Sequence, residues 1–168
     1  SAHEKGGPAT MVIFHDSEFL MGRHWLEEYL NRYPKEAPGG GLPFWASCRA
    51  DMMAKWPDLV RALHRDAHWH CFSIGLESGS QKVLDIMNKE TTVEQNQQAI
   101  ELVNALGDEA IREGRTPPVI YANIMMAIPG EEPEDAFATM KMLATIKRGI
   151  PSFSLFAPYP GSKLGDQI

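Results

Sequence analysis

The chain has 168 residues, 43% of them hydrophobic, and a formal net charge of −6 at pH 7. This length fits one domain with a substantial core, and the acidic balance without a basic patch or basic helix argues against a nucleic-acid-binding surface. No apolar run has the length of a membrane span, no secretory pattern precedes the first predicted strand, and two cysteines are too few for a disulfide scaffold. We therefore expect a cytoplasmic protein without a membrane or nucleic-acid partner.

Residues 1–10 are small, polar and glycine-rich, so we expect a disordered tail or a cloning remnant there, followed by one domain over residues 11–168. The domain alternates apolar runs of strand length with helical patterns. The predicted strands are Met11–Phe14, Phe44–Ala46, Cys71–Leu76, Val119–Ile128 and Phe153–Ala157. Strands that alternate with helices pair in parallel, so this order predicts an α/β fold with a parallel sheet and right-handed crossovers.

Caps and prolines predict where the helices begin and end. Ser17 would open the first helix and Pro34 would stop it, and Pro57 suits the first turn of the second. Ser80 would cap a helix over Gln81–Met87. A further helix begins at Thr91 or Thr92, with a capping box to Glu94 or Gln95.

The last predicted helix has Pro133 near its start and Gly149 at the position just past its end, where glycine is common. Its periodic apolar side predicts a buried face. That face consists of Phe137, Met140, Leu143, Ala144 and Ile146.

Each predicted strand runs into a polar loop, and in parallel α/β folds such loops emerge on one face and bind the ligand. The loop after the third strand, Ser73–Ser80, is the most informative, because it holds one carboxylate, Glu77, among glycines that let a ligand approach the backbone. Five loops on one rim predict a binding site.

These loops, in this order, resemble those of the radical S-adenosylmethionine (SAM) enzymes, whose catalytic domain is a partial (β/α)6 barrel. The chain would supply roughly strands 2–6 of that barrel. The matching segments are Phe14–Phe19, Trp45–Asp51, Gly75–Ser80 with Met87–Lys89, Ile128–Glu131 and Pro158–Ser162. Two positions depart from the family pattern: Ser17 replaces the second Asp of Phe-x-Asp-Asp-x-Phe, and Ala127 replaces the leading Gly of Gly-Leu-Pro-Gly-Glu.

The resemblance implies an iron–sulfur enzyme that reductively cleaves SAM to a 5′-deoxyadenosyl radical. The family holds its [4Fe–4S] cluster on Cys-x-x-x-Cys-x-x-Cys, a spacing that Cys48 and Cys71 do not reproduce. We therefore interpret the chain as the middle and C-terminal part of a longer enzyme whose N-terminal part is missing, and expect it to be inactive alone. It is most similar to the subgroup with a cobalamin-binding domain, whose members include methyltransferases and an oxidative cyclase acting on a magnesium-porphyrin ester.

The resemblance also implies roles for individual residues. Glu77 and Ser78 would hydrogen-bond the amino group or ribose hydroxyls of SAM, and Arg49 or Lys89 would pair with its methionyl carboxylate. The residues predicted to bind the cofactor are Asp16, Arg49, Glu77, Ser78, Gly79, Lys89 and Gly130. Asp16 is expected to orient neighbouring loops. No catalytic or metal-ligating residue is predicted, and the substrate, an unidentified small molecule, is not specified.

Two other interpretations remain. The chain could be a non-catalytic barrel module that binds a nucleotide-like ligand or a partner. It could also be a (β/α) enzyme for phosphorylated sugars, which is less favoured because Glu77 would repel a phosphate. His64, His68 and His70 have metal-compatible spacings but lack a third ligand at either pair. The first predicted strand would lack its neighbour, so we expect association, as a homodimer through that apolar edge or through the open mouth of the barrel.

Overall fold

The structure is a computed structural model that describes residues 8–158. Five parallel strands lie side by side in chain order and form a curled half-barrel, which confirms the expected α/β partial barrel. The strands are β1 (Val12–Ile13), β2 (Phe44–Cys48), β3 (Trp69–Glu77), β4 (Val119–Met126) and β5 (Gly149–Leu155). The first and last are edge strands within the described residues.

Six α-helices connect the strands. They are α1 (Arg23–Glu36), α2 (Ala50–Lys55), α3 (Pro57–Ala67), α4 (Gln81–Ile86), α5 (Val93–Arg112) and α6 (Pro133–Leu143). A short 3₁₀ turn, Pro38–Gly40, precedes β2. Because parallel strands in chain order need crossovers of one hand, the helices cover one face of the sheet. Among the described residues no helix is both long enough and apolar enough to cross a membrane.

The other face of the sheet, which we call the open face, carries alternate strand residues. Paired positions across β2, β3 and β4 place Trp45, Ser73, Tyr121 and Asn123 on it, together with Gly75. The rings of Trp45 and Tyr121 lie 5.2 Å apart, and the Asn123 amide donates to the Ser73 hydroxyl at 3.0 Å. The open face is the inner surface of the half-barrel.

The core lies between the sheet and the helices and is aromatic at its amino end. Trp69, Phe44 and Phe72 are completely buried. The Trp69 ring stacks 4.2 Å from Phe72 and 5.7 Å from Phe44, measured between centroids. Burying each of these side chains stabilises the fold by about 2–3 kcal/mol.

The first helix begins later than predicted. Arg23 is its first residue, because the chain after Ser17 first crosses the end of β2, where the Phe19 amide donates to the Ser47 carbonyl at 2.8 Å. Pro34 lies within the last turn, and the helix ends two residues later at Glu36. The prediction that Ser17 opens this helix and Pro34 stops it was wrong.

Two other helix predictions had different outcomes. Thr92 caps α5, and the capping box with Gln95 is present in both directions, as expected. The predicted end of the last helix was wrong, since α6 ends at Leu143 and Gly149 is the first residue of β5. A Cβ at Gly149 would lie 2.5 Å from the Ile120 carbonyl oxygen, so this glycine permits close strand pairing.

The predicted buried face of α6 was wrong in part: Leu143 and Ile146 pack against the core as expected, but Phe137, Met140 and Ala144 do not. Phe137 and Met140 are 62% and 64% exposed, and the buried side of the helix carries Thr139 and Met142 instead. The periodic pattern predicts an apolar stripe but not which flank of it the sheet covers.

At the opposite edge, Met11 before β1 and Ile13 within β1 are 41% and 48% exposed. Association through this edge stays a prediction.

The loop between β3 and α4 packs tightly on α6 through Gly79. A Cβ at this position would lie 2.5 Å from the Ala138 carbonyl oxygen and 2.8 Å from the Thr139 Cα, both backbone atoms of a helix. Neither neighbour can move without displacing α6, so only glycine fits here.

We predict that Gly79→Ala lowers the free energy of unfolding by about 1–3 kcal/mol, because the added methyl group forces the loop away from α6. Urea denaturation measures this change. Gly22→Ala is the matched control, since its added Cβ would make ordinary contact at 3.8 Å. An equal effect of the two substitutions would contradict the packing argument.

Candidate functional site

The carboxyl end of β3 leaves regular strand geometry at Glu77. The pairing of β3 with β4 shifts register between Gly75 and Glu77, and the Glu77 backbone has a φ of 60°. The Ser78 amide donates to the Leu76 carbonyl at 2.7 Å and closes a three-residue turn around Glu77. Such a bulge and turn end the regular pairing of the strand and set the angle at which the Glu77 side chain leaves the backbone.

The Glu77 carboxylate lies over the open face, beside Gly75, and pairs with Lys89. Lys89 Nζ is 2.8 Å from Glu77 Oε1, and the two side chains are only 21% and 14% exposed. A Cβ at Gly75 would lie 2.9 Å from Glu77 Oε1 and 3.0 Å from Lys89 Nζ. Gly75 thus leaves the space that the ion pair occupies.

Arg49 joins this pair from the end of β2. Its guanidinium donates to both carboxylate oxygens of Asp51, at 2.9 and 3.2 Å, and Nη2 also lies 3.4 Å from the Lys89 carbonyl oxygen. The Asp51 hydrogen bonds raise the pKa of Arg49. The Arg49 side chain remains 36% exposed, so part of its fork faces outward.

Glu18 is a site residue that the sequence analysis did not single out, although it lies within the first matching loop. Its carboxylate accepts from the Leu20 amide at 2.8 Å and from the Arg49 amide at 2.7 Å, which fixes the loop after β1 to the end of β2. Burial raises the pKa of Glu18. Asp16, which was expected to orient the neighbouring loops, is exposed. Glu18 makes the contacts between these loops instead.

Together these five residues form what we call the rim cluster. It consists of Glu18, Arg49, Asp51, Glu77 and Lys89. Three predicted residues, Arg49, Glu77 and Lys89, therefore lie in one network. A carboxylate near the end of each of the first two matching loops is the signal that would have found Glu18 and Asp51.

Ser78 and Gly79 lie behind the rim rather than on it. Ser78 is fully buried, and its hydroxyl lies 3.1 Å from that of Thr139 while accepting from the Ser80 amide at 3.1 Å. The Gly79 amide donates to the same Thr139 hydroxyl at 2.9 Å. Both residues hold the loop against α6, and direct contact between them and a ligand stays a prediction.

The predicted capping role of Ser80 was wrong. Ser80 occupies the N-cap position of α4, but its hydroxyl makes no cap hydrogen bond and donates instead to Asp135 Oδ1 at 2.6 Å. Lys82 Nζ lies 2.9 Å from the other Asp135 oxygen. The Ser80 hydroxyl and then Lys82 lower the pKa of Asp135 to about 2.

The loop after β4 is organised by Glu131. Its Oε2 accepts from the amides of Ala127 at 2.7 Å and Ile128 at 3.3 Å. Gly130 has a φ of 87°, and Ala127, which replaces a family glycine, has a φ of 61°. Both positions therefore need left-handed backbone, which glycine adopts readily. Contact of Gly130 with a ligand stays a prediction.

The predicted loop Pro158–Ser162 lies outside the described residues except for Pro158. The predicted tail over residues 1–10 likewise lies mostly outside them.

The described residues do not fit a [4Fe–4S] cluster. Among residues 8–158 no group of three His, Cys, Asp or Glu side chains could hold a metal ion. The Cys48 thiol is buried 3.5 Å from the Met53 sulfur, and burial raises the pKa values of Cys48 and Cys71, which disfavours the thiolate form that ligates iron.

Comparisons with known proteins agree with this geometry. The chain is 33% identical over 100 residues to the anaerobic magnesium-protoporphyrin IX monomethyl ester cyclase of Rubrivivax gelatinosus. The aligned segment covers 57% of the chain and 16% of the cyclase. The chain is 26% identical over 118 residues to the tRNA-2-methylthio-N(6)-dimethylallyladenosine synthase of Klebsiella pneumoniae, covering 70% of the chain and 21% of the relative. No protein-family profile matches the chain.

An uncharacterized methyltransferase of Pyrococcus horikoshii is 25% identical over 91% of the chain and 30% of its own length. Among solved structures, the fold is similar to OxsB, a cobalamin-dependent SAM radical enzyme, with a TM-score of 0.62 at 19% identity, over 94% of the chain and 22% of OxsB. These similarities confirm the predicted resemblance to the radical SAM enzymes. The chain spans only 16–30% of the length of these three curated relatives.

The contacts of Asp135 predict a pH dependence of stability. Since its pKa is lowered on folding from 3.8 to about 2, the stabilisation is complete above the unfolded value and is lost as the pH falls through this window. In urea denaturation between about pH 5 and 2.5, we expect Asp135→Asn to flatten the loss of stability on acidification. Glu134→Gln, on the same helical turn, is the control and should leave the slope unchanged. An identical slope in wild type and Asp135→Asn would contradict the prediction.

Proposed function

We propose that the rim cluster binds and positions SAM, as the SAM-facing part of a longer radical SAM enzyme. The observation that carries this proposal is the mixed charge of the network at the end of β3. Glu77 supplies a carboxylate and Lys89 a cation 2.8 Å from it, while the Arg49 guanidinium supplies a second cation that reaches the Lys89 backbone carbonyl. The methionyl end of SAM carries an ammonium and a carboxylate, so the site and the ligand are complementary in charge.

The residues would act as follows. The Glu77 carboxylate accepts hydrogen bonds from the ammonium or the ribose hydroxyls, and the outward part of the Arg49 fork pairs with the methionyl carboxylate. Lys89 holds the Glu77 carboxylate in place until the ligand binds. Glu18 and Asp51 keep Arg49 at the rim.

SAM, when bound, supplies the adenosyl group that radical SAM chemistry uses. The cluster that reduces it in this family finds no ligand set among residues 8–158, so we assign no step of that chemistry to this chain and propose that it is inactive alone. The remainder of the parent enzyme would hold the cluster. Similarity to a cyclase, methylthio-adenosine synthases and a methyltransferase supports a parent that catalyses methyl transfer or oxidative cyclisation. We further propose that another domain of the parent holds cobalamin, which the cobalamin-dependent structural neighbour OxsB supports.

Titration calorimetry of the purified chain with SAM tests the proposal. We expect measurable binding by the wild type and about tenfold weaker binding by Glu77→Gln, because the neutral amide loses the charge-assisted hydrogen bonds. Glu28→Gln, on the exposed side of α1, removes the same charge far from the rim and should bind as the wild type does. Absence of binding, or unchanged binding by Glu77→Gln, would exclude this site.

A further inference from the structure

Asn96 is a polar residue in the core. It lies on the first turns of α5 and is completely buried, as are the following inward residues Ala99 and Ile100. A buried amide destabilises a fold unless its hydrogen-bonding groups find partners. Asparagine at this position therefore requires an explanation.

The partners of Asn96 are the two backbone carbonyls on either side of Glu77. Its Nδ2 donates to the Leu76 carbonyl at 2.8 Å and to the Ser78 carbonyl at 3.2 Å. Only an amino group can face two carbonyl oxygens, so these contacts fix the orientation of the amide. Its Oδ1 is buried without a partner in the described part of the chain.

Packing alone does not account for this residue. A leucine would have similar size and would leave no orphaned oxygen in the core, which by itself favours stability. We therefore attribute the presence of asparagine at this position to its hydrogen bonds with the two carbonyls.

These carbonyls belong to the three-residue turn at Glu77. A tight turn with positive φ at a residue other than glycine is strained, and it persists only where surrounding contacts hold it. The Leu76 carbonyl accepts both the Ser78 amide of the turn and the Asn96 amide. One buried side chain therefore bridges the carbonyls of the first and last residues of this turn, Leu76 and Ser78.

We propose that Asn96 is the positioning residue for Glu77. By holding the strained turn from beneath the sheet, it keeps the Glu77 carboxylate over the open face against Lys89, poised for the ligand. This inference rests on the proposed function, because it gives the position of Glu77 its use in SAM binding.

The same helix offers a matched control in Asn104, which is 9% exposed. Its Nδ2 donates to the Thr145 carbonyl at 2.8 Å, and its Oδ1 accepts from the Lys147 amide at 3.0 Å. Asn104, like Asn96, hydrogen-bonds the backbone of a neighbouring loop. It lies about 12 Å closer to the C-terminal end of α5, away from the rim cluster.

The test compares Asn96→Asp and Asn96→Leu with Asn104→Asp and Asn104→Leu in the whole chain. Two quantities are measured: the SAM dissociation constant by calorimetry, and amide hydrogen exchange at Ser78 by NMR, which needs no ligand. Urea denaturation of each variant measures its stability. Asn96→Ser, which keeps one donor, replaces the other Asn96 variants if circular dichroism finds them unfolded.

We expect both Asn96 variants to weaken SAM binding about tenfold and to speed Ser78 exchange by a similar factor. The Asn104 variants should change both quantities less than about twofold at a comparable loss of stability. Unchanged Ser78 exchange in the Asn96 variants overturns the proposal, as does faster exchange with wild-type SAM affinity. If the wild type itself binds no SAM, the proposed function fails. The role of Asn96 in stabilising the turn is then judged by Ser78 exchange alone, and unchanged exchange in the Asn96 variants would refute it.

Discussion

The Glu77 carboxylate lies over the open face at the point where the backbone departs from strand geometry, with a register shift before Glu77 and a φ of 60° at it. Several features follow from this departure. Gly75 must lack a side chain to leave space for the carboxylate, and Asn96 must bridge the carbonyls on either side of the turn. Strain of this kind is common where a protein holds a functional group ready for a ligand.

The aromatic core and the candidate site lie at opposite ends of the strands. The stacked rings of Phe44, Trp69 and Phe72 lie toward the amino ends of β2 and β3, whereas the charges of the rim cluster follow their carboxyl ends. The aromatic core fixes the sheet, and parallel pairing then places the loops on one rim. The loops can therefore carry buried charge and strain while the core supplies the free energy that keeps them folded.

The sequence predicted which strands are present better than it predicted where they end or which face of a helix is buried. Apolar runs located all five strands, and the loop motifs brought Arg49, Glu77 and Lys89 to one place. Strand ends were displaced by a few residues, since a run of apolar residues does not mark where pairing stops. The exposed Phe137 of α6 could not be foreseen, because periodicity does not say which flank the sheet covers.

Contacts distant in sequence were the other source of error. The Ser80 hydroxyl bonds Asp135, a residue 55 positions away, so local capping rules assigned it the wrong partner. Asn96 escaped notice because it lies in a run of polar residues, Glu94–Gln98, at the start of an amphipathic helix, which suggests an exposed turn. Only the fold brings it beneath Leu76 and Ser78.

A crystal structure of the chain with SAM bound is the most direct test of the role of Glu77. We expect the ammonium or a ribose hydroxyl of SAM to lie within about 3.2 Å of a Glu77 carboxylate oxygen, with the turn at Glu77 retained. SAM bound elsewhere on the chain, or at the rim without contact to Glu77, would contradict this role.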